Sequence, residues 1–296
     1  MRRRYGFLEG LWSELRVHQW AKNLLVLAPL LFSQSVLIPE SAVKALGAFG
    51  LFCLVSSSIY LLNDILDIKQ DRLHPKKKLR PIAAGELTVG AGWAAAAVLF
   101  LLGIGGGWRL SPALAAVLLV YWAIHLAYSL VLKHRVLLDL FAIAAGFVLR
   151  VVGGAVAIEV KISHWVLICT TLLALFLGFS KRRHELMLLQ GEARIHREVL
   201  NEYSPHFLDM MIAIVTASTL MSYALYTVAE ETVAKFHTQR LLFTIPFVLY
   251  GLFRYLYLIY QKGEGGDPIQ SLLTDMPTVV NLLFWVASVG VILYVR

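Results

Sequence analysis

Long runs of apolar residues, separated by short polar connections, recur along the whole chain. A helix needs roughly 20 such residues to cross a bilayer core of about 30 Å. The strands of a membrane barrel would instead alternate polar and apolar positions over about ten residues, and no such alternation is seen. The pattern predicts an all-α integral membrane protein with nine transmembrane helices, at 23–38, 42–64, 89–108, 112–132, 137–158, 164–180, 207–229, 241–260 and 279–294.

Composition supports the same fold class. The 296 residues are 58% hydrophobic and 16% charged, with a mean hydropathy of +0.70, whereas a soluble domain has about 25% charged residues. We expect one transmembrane helical domain over residues 1–296. Within it, 1–22 forms a cytoplasmic amphipathic lead-in rather than a signal peptide, because it lacks an apolar run. Residues 65–88 and 181–206 form cytoplasmic loops that cap the active site.

The positively charged residues are distributed unevenly between the connections on the two sides of the predicted membrane. The formal net charge is +8, yet most of the 27 Lys and Arg residues fall at the N-terminus and in every second connection. Such clustering is the positive-inside pattern of membrane proteins and argues against nucleic acid as the partner. It predicts a multi-pass protein of the cell (inner) membrane with its N-terminus and its active face in the cytoplasm. Cys53 and Cys169 both lie inside apolar segments, so no disulfide framework is expected.

An acidic motif closes the second apolar segment. Asp64, Asp67 and Asp71 follow the spacing i, i+3 and i+7, which puts them on one helical face beside Asn63. Stacked carboxylates repel one another unless a cation lies among them. Hard oxygen ligands of this kind suit Mg²⁺, which also bridges to substrate phosphates. The motif predicts a Mg²⁺ site; the alternative is a solvated acidic helix end.

Basic residues follow the acidic motif directly. Arg72, Lys77 and Arg80 lie within nine residues of Asp71, and Arg80 precedes the run Pro-Ile-Ala-Ala-Gly at 81–85. Cations beside a metal site would neutralise phosphate oxygens that the metal alone leaves charged. These residues therefore predict a diphosphate site, with ordinary inside positive charge as the alternative for each of them.

Further polar residues lie within or at the ends of the apolar segments. Lys22 begins the first segment, and Tyr128 and Lys133 lie at the inner end of the fourth, where we expect them to join a phosphate pocket. Arg150 lies eleven residues after Asp139 and close to the same helical face. Intramembrane charges face the bundle interior and pair or serve a substrate, so Arg150 is either a phosphate ligand or half of a structural pair with Asp139.

The motif Asn-Asp-x-x-Asp-x-x-x-Asp at 63–71, followed by Arg-Pro-Ile-Ala-Ala-Gly at 80–85, resembles the UbiA superfamily of intramembrane prenyltransferases. The resemblance covers nearly the whole chain. It implies nine helices around a central cavity that is open to lipid and capped by cytoplasmic loops.

The chain departs from the commonest members of the superfamily at a second position. Aromatic prenyltransferases carry another Asp-rich motif after the sixth helix, whereas this chain reads Gly-Phe-Ser-Lys-Arg-Arg-His-Glu-Leu at 178–186. Lys181, Arg182 and Arg183 replace the acids, and Glu185 forms an i, i+4 pair with Lys181. A cationic second half is suited to a second phosphate-bearing substrate.

Several phrases resemble one phosphoribosyl-transferring branch of the superfamily. They include the stretches 18–23, 128–133 and 146–150, together with His74-Pro75 and Gly-Gly-Asp-Pro at 265–268. The resemblance implies Mg²⁺-dependent transfer of a 5-phosphoribosyl group from phosphoribosyl diphosphate to a polyprenyl (decaprenyl-type) phosphate, releasing diphosphate, for cell-wall or glycolipid precursor synthesis.

Two other functions stay open at this point. One is an aromatic polyprenyltransferase of quinone or haem biosynthesis that uses a prenyl diphosphate and the same first motif. The other is a transporter, although transporters place broken helices at mid-membrane and the acidic cluster here lies at the inner boundary. The sequence leaves the lipid chain length, assembly into a homo-oligomer and the phosphate bound by Lys181–Arg183 undetermined.

Overall fold

The computed structural model describes residues 7–73, 77–188, 198–264, 266 and 274–295. These residues form helices and contain no strand, which confirms the predicted all-α class. The α-helices are α1 (Phe7–Glu14), α2 (Ala28–Phe32), α3 (Pro39–Leu66), α4 (Ile68–Leu73), α5 (Pro81–Ala84), α6 (Val89–Leu110), α7 (Pro112–Leu130), α8 (Leu138–Ala157), α9 (His164–Leu188), α10 (Pro205–Val228), α11 (Glu230–Phe236), α12 (Ile245–Gln261) and α13 (Met276–Tyr294). Short 3₁₀ helices cover Val17–Leu27, Lys77–Leu79, Leu132–His134, Glu198–Glu202 and Arg240–Thr244.

Local sequence explains where the long helices begin. Pro39 and Pro112 open α3 and α7, where a missing N–H costs nothing because the first turn has no internal partner for it. Thr88 and Ser204 precede α6 and α10, and their hydroxyl oxygens accept hydrogen bonds from the backbone N–H groups three residues later, at 3.2 and 3.1 Å.

Eight helices of the described part are long and apolar enough to cross a membrane, so this is a multi-pass membrane protein. They correspond to the second to ninth predicted segments. The expected span at 23–38 is not among these eight: the 3₁₀ helix Val17–Leu27 and the five-residue α2, which follows it directly, cover most of it. Pro29 lies in the first turn of α2, and the left-handed backbone of Gln34 (φ 57°) follows the end of that helix. Nine spans are therefore not confirmed.

Parts of several predictions lie outside the described residues. They are the Arg run at 2–4, the phrase His74-Pro75, residues 189–197 of the expected second capping loop, and positions 265, 267 and 268 of the last phrase. The first eight residues of that second loop, 181–188, continue helix α9. The predicted single domain with two cytoplasmic caps stays a prediction, as does the orientation.

The chain divides into two compact units, residues 1–161 and 162–296. In the first unit α3 is the central helix and packs against α6, α7, α8 and the Val17–Leu27 helix. Its core contains Phe52 and Val55 from α3, Leu118 and Tyr121 from α7, and Val26. A second cluster packs the C-terminal half of α3 against the segment that follows α4, through Leu61, Ile65, Ile82 and Leu87.

The second unit is fastened by polar contacts between its helices. Tyr223 of α10 shares a 2.7 Å hydrogen bond with Thr244 and accepts another from Trp285 of α13. Arg254 of α12 forms a two-pronged ion pair with Asp275, which also caps α13. The pKa of Asp275 falls to about 2, chiefly because Arg254 donates hydrogen bonds to its carboxylate.

Gly154 of α8 is a close-packing position. A Cβ atom here would overlap the backbone carbonyl of Val26, which cannot rotate away. We expect Gly154→Ala to destabilise the protein by about 1–3 kcal/mol, the usual cost of overpacking, and to lower the unfolding midpoint in detergent. Gly50→Ala in α3 is the matched control, because nothing lies within 4 Å of its Cβ position. Equal midpoints for the two variants would contradict this packing.

Candidate active site

Asp64 and Asp71 meet at one guanidinium group. Helical hydrogen bonding continues through the α3–α4 junction, from Asp67 N to Asn63 O (2.9 Å) and from Asp71 N to Asp67 O (2.8 Å). The i, i+7 pair therefore keeps a common face, and both side chains are buried, at 2% exposure each. Arg80 Nη1 lies 2.8 Å from Asp64 Oδ1 and 2.6 Å from Asp71 Oδ2. The structure thus joins the first and third predicted acids with the predicted cation.

The backbone around Arg80 explains its position. Arg80 is extended (φ −66°, ψ 140°) and precedes Pro81, which begins the four-residue helix α5; Gly85 ends that helix with φ 79°. Arg72 Nε donates to Ala83 O at 3.2 Å, so this predicted phosphate ligand instead ties α5 to α4.

Lys77 extends the positive charge on the other side of Asp71. Its Nζ lies 4.0 Å from Asp71 Oδ1, and almost half of its side chain is exposed. Burial raises the pKa of Asp71 above its ordinary value, while the charges of Arg80 and Lys77 oppose that shift. Lys77 is therefore close enough to the acids to act with Arg80 on an anion.

Two residues that precede the first predicted segment also contact the acids and the loop of Arg80. Arg16 forms an ion pair with Asp64. Glu14 is buried, and its Oε1 accepts a hydrogen bond from Ile82 N at 2.9 Å. Burial first, and then the neighbouring Asp64 carboxylate, raise the pKa of Glu14 to about 8. Neither residue was predicted to belong to the site. Arg16 was counted only as positive charge on the cytoplasmic side, and the only further signal in the sequence is that an acid, Glu14, lies two positions before it.

Asp67, the second predicted acid, has a different partner. Lys133 Nζ, from the 3₁₀ turn after α7, lies 2.7 Å from Asp67 Oδ1. Asn63 Oδ1 accepts a hydrogen bond from Ser129 of α7, and the predicted Tyr128 lies half-buried beside that serine. The C-terminal end of α7 is thus joined to the acidic motif, and Lys133 lies beside Asp67.

Arg150 lies in a neutral polar network. Its guanidinium donates to Asn23 Oδ1 (2.7 Å), to Gly146 O (2.8 Å) and to the hydroxyl of Tyr121 (2.7 Å). The hydrogen bonds described for Arg150 thus go to these three neutral acceptors rather than to the Asp139 carboxylate that the sequence suggested. Its role as a phosphate ligand stays a prediction, as does that of Lys22, which is half-buried in the Val17–Leu27 helix.

The predicted cationic segment of the second unit is compensated internally. Arg182 is buried and lies 2.6 Å from Glu185, and Arg183 lies 2.5 Å from Asp209 and over the ring of Tyr260. Lys181 is the most accessible of the three, at 42% side-chain exposure and 4.0 Å from Glu185. The segment presents one accessible cation rather than three.

The first-unit acids fit a hard cation. Asp64 Oδ2 is buried without a hydrogen-bond partner, and Mg²⁺ is typically held by one or two carboxylates together with waters and substrate phosphates. Asp64 and Asp71 supply such a pair, whereas Asp67 is turned to Lys133. Among the residues described, no three acidic, His or Cys side chains already form a closed metal site. The donor set is thus suited to a metal that arrives with phosphate ligands.

Comparison with known proteins shows the family of the chain. A model of the UbiA prenyltransferase family matches residues 24–269. Decaprenyl-phosphate phosphoribosyltransferase of Mycolicibacterium smegmatis is 32% identical over 300 residues, covering 98% of this chain and 94% of that protein. The Corynebacterium glutamicum protein of the same name is 33% identical over 293 residues, covering 97% and 87%.

The fold also matches a solved structure. A UbiA homolog from Archaeoglobus fulgidus, bound to DMAPP and Mg²⁺, aligns with a TM-score of 0.71 at 16% identity, over 97% of this chain and 99% of that one. This likeness confirms the predicted UbiA-like helical bundle. With the family match and the full-length relatives, it shows that the chain is a membrane enzyme that belongs to the UbiA prenyltransferase family.

Proposed function

We propose that this enzyme transfers a 5-phosphoribosyl group from phosphoribosyl diphosphate to a polyprenyl phosphate and depends on Mg²⁺. The observation that carries the proposal is its similarity, over nearly the whole chain, to relatives named decaprenyl-phosphate phosphoribosyltransferase. The cationic segment at Lys181–Arg183, where aromatic prenyltransferases carry acids, supports it. The product would enter cell-wall or glycolipid precursor synthesis.

The reaction is a displacement at C1 of the ribose. A phosphate oxygen of the lipid forms a bond to C1 while the bond from C1 to the diphosphate oxygen breaks. The acceptor oxygen is already anionic, so no proton has to be removed from it. Negative charge builds up on the leaving diphosphate, and fixed positive groups aimed at that charge lower the barrier.

The first-unit cluster supplies those groups. Asp64 and Asp71 would hold Mg²⁺, which neutralises diphosphate oxygens when bound. Arg80 and Lys77 then exchange their carboxylate partners for diphosphate oxygens. In the resting structure Arg80 spans the two acids at 2.8 and 2.6 Å, so it neutralises buried charge until the substrate arrives.

The remaining predicted ligands receive secondary roles. Lys133, bound to Asp67, lies at the inner end of α7 and would contact an oxygen of the donor. Lys181 would bind a phosphate monoester in the second unit, with Glu185 orienting Arg182 and Arg183 paired with Asp209. The chain would work at the cytoplasmic face of the cell membrane, where phosphoribosyl diphosphate is available.

A donor test decides between the two transferase activities. Purified protein in detergent with Mg²⁺ receives either labelled phosphoribosyl diphosphate with decaprenyl phosphate, or labelled prenyl diphosphate with 4-hydroxybenzoate. We expect label in the lipid product of the first reaction only. Chelation with EDTA should abolish transfer, and added Mg²⁺ should restore it. Product from the second reaction alone would instead identify an aromatic polyprenyltransferase.

A further inference from the structure

The segment after helix α1 is an integral part of the acidic site. Leu15 O accepts a hydrogen bond from Ser57 Oγ of α3 at 2.9 Å, and the next residue, Arg16, pairs with Asp64. Arg16 adopts the left-handed conformation (φ 51°, ψ 51°), which is uncommon for a residue with a long side chain. Because tertiary contacts hold this conformation, the segment has a fixed position on α3.

Glu14, the residue before these two, fixes the loop that carries Arg80. Its Oε1 accepts a hydrogen bond from Ile82 N at 2.9 Å. Pro81 has no N–H group, so Ile82 provides the first backbone donor after Arg80. The Glu14 side chain is only 1% exposed, and a buried backbone donor without a partner is costly. This bond therefore sets the position of the backbone two residues from Arg80.

The same carboxyl group lies near Asp64: burial first, and then the interaction with Asp64, raise the pKa of Glu14. Asp64 Oδ1 accepts from Arg80, whereas its Oδ2 is buried without a hydrogen-bond partner. Glu14 therefore lies near the acid and holds the backbone of the loop that carries the cation. Glu9, in the first turn of α1, is exposed.

We propose that Glu14 is a positioning residue of the diphosphate site, which sets the separation between Asp64 and the loop of Arg80. The inference rests on the proposed function and adds the N-terminal helix to its binding machinery. Loss of the contact should weaken binding of diphosphate with Mg²⁺ more than it slows the chemical step, because Glu14 itself reaches no reacting atom.

The test compares four variants with the wild-type protein. Glu14→Ala removes the hydrogen bond from Ile82 N, and Glu14→Asp keeps an acid that is one methylene too short to accept it. Glu14→Gln keeps an acceptor for Ile82 N, and Glu9→Gln is the control on the same helix. Titration calorimetry with Mg²⁺ and inorganic diphosphate gives the affinity, and hydrogen exchange of the 80–84 backbone reports loop fixation.

We expect Glu14→Ala and Glu14→Asp to weaken diphosphate binding about tenfold or more, the equivalent of one lost buried hydrogen bond. Exchange at 80–84 should become faster in both. Glu14→Gln should stay within about threefold of wild type and Glu9→Gln within about twofold, since hydrogen-bond geometry is kept in the first and the site is untouched in the second. If Glu14→Ala fails to fold, the Asp and Gln variants decide the matter.

Other results would overturn the proposal. Unchanged affinity and exchange in Glu14→Asp would show that the hydrogen bond from Ile82 N is unimportant, and equal losses in Glu14→Gln and Glu14→Asp would show that its geometry is not the cause. Inorganic diphosphate does not depend on which group the enzyme transfers. If the donor test fails but the Glu14 variants show the expected losses of diphosphate binding, the phosphoribosyl reaction is rejected and the positioning role of Glu14 stands.

Discussion

Replacing Asp64 by Asn should reduce transfer by about a thousandfold, because the loss of a metal ligand at a site of charge build-up removes several kcal/mol of transition-state stabilisation. The substitution preserves size and shape. It removes the negative charge that Arg16 and Arg80 both contact. It also makes Asp64 Oδ2 a weaker metal ligand, and this is the only carboxylate oxygen of Asp64 and Asp71 that is buried without a hydrogen-bond partner. The measurement is the rate of label transfer at saturating donor and Mg²⁺.

Glu40→Gln is the matched control for Asp64→Asn. Glu40 lies in the first turn of the same helix, α3, at the opposite end from the site, and its side chain is 77% exposed. We expect this control to transfer label at the wild-type rate. An Asp64→Asn enzyme with more than a tenth of normal activity would remove Asp64 from the metal site and require another acid in its place.

Replacing Arg80 by Gln should lower kcat/KM by about a hundredfold, a loss of roughly 2.7 kcal/mol and typical for one charge-stabilising donor. The substitution leaves Asp64 and Asp71, both buried, without their shared cation. It also removes the group that would bind diphosphate oxygens as they become more negative. Arg80→Lys should retain part of the activity, because a single nitrogen atom of Arg80 makes both contacts.

The Arg80 prediction has two controls. Arg109→Gln removes an exposed arginine from the far end of α6 and should leave kcat/KM unchanged. The double variant of Asp64→Asn with Arg80→Gln should lose less than the combined effects of the single changes, since residues in direct contact are energetically coupled. Strictly additive losses would mean that the ion pair in the structure has no part in catalysis.

The apolar pattern was a reliable guide to the spanning helices. Segments such as 42–64 and 164–180 were located correctly, although α3 and α9 extend further, to Leu66 and Leu188. Helix ends in polar sequence carry no hydrophobic signal, so these extensions were not predicted. The segment at 23–38 does not form one long α-helix, and hydropathy does not record that a 3₁₀ helix covers its first part and that the left-handed Gln34 follows α2.

Local spacing also explains which parts of the site were predicted. Asp64 and Asp71 share a helical face by their separation, and Arg80 follows within a short connection. Glu14 and Arg16 lie 68 and 48 positions from their partners Ile82 and Asp64, and such contacts arise only when α1 packs on the folded unit. The partners of Arg150 were missed for a related reason, since acceptors from distant segments lie around its guanidinium.

The neutral network around Arg150 has a consequence for biogenesis. An arginine at the centre of an inserting helix costs about 2.5–3.5 kcal/mol on translocon scales, and α8 carries Arg150 with only one acceptor of its own, Gly146 O. Its other acceptors, Asn23 and Tyr121, precede α8 in the chain. Asn23 and Tyr121 are therefore synthesised before α8, so both acceptors are already present when α8 enters the bilayer.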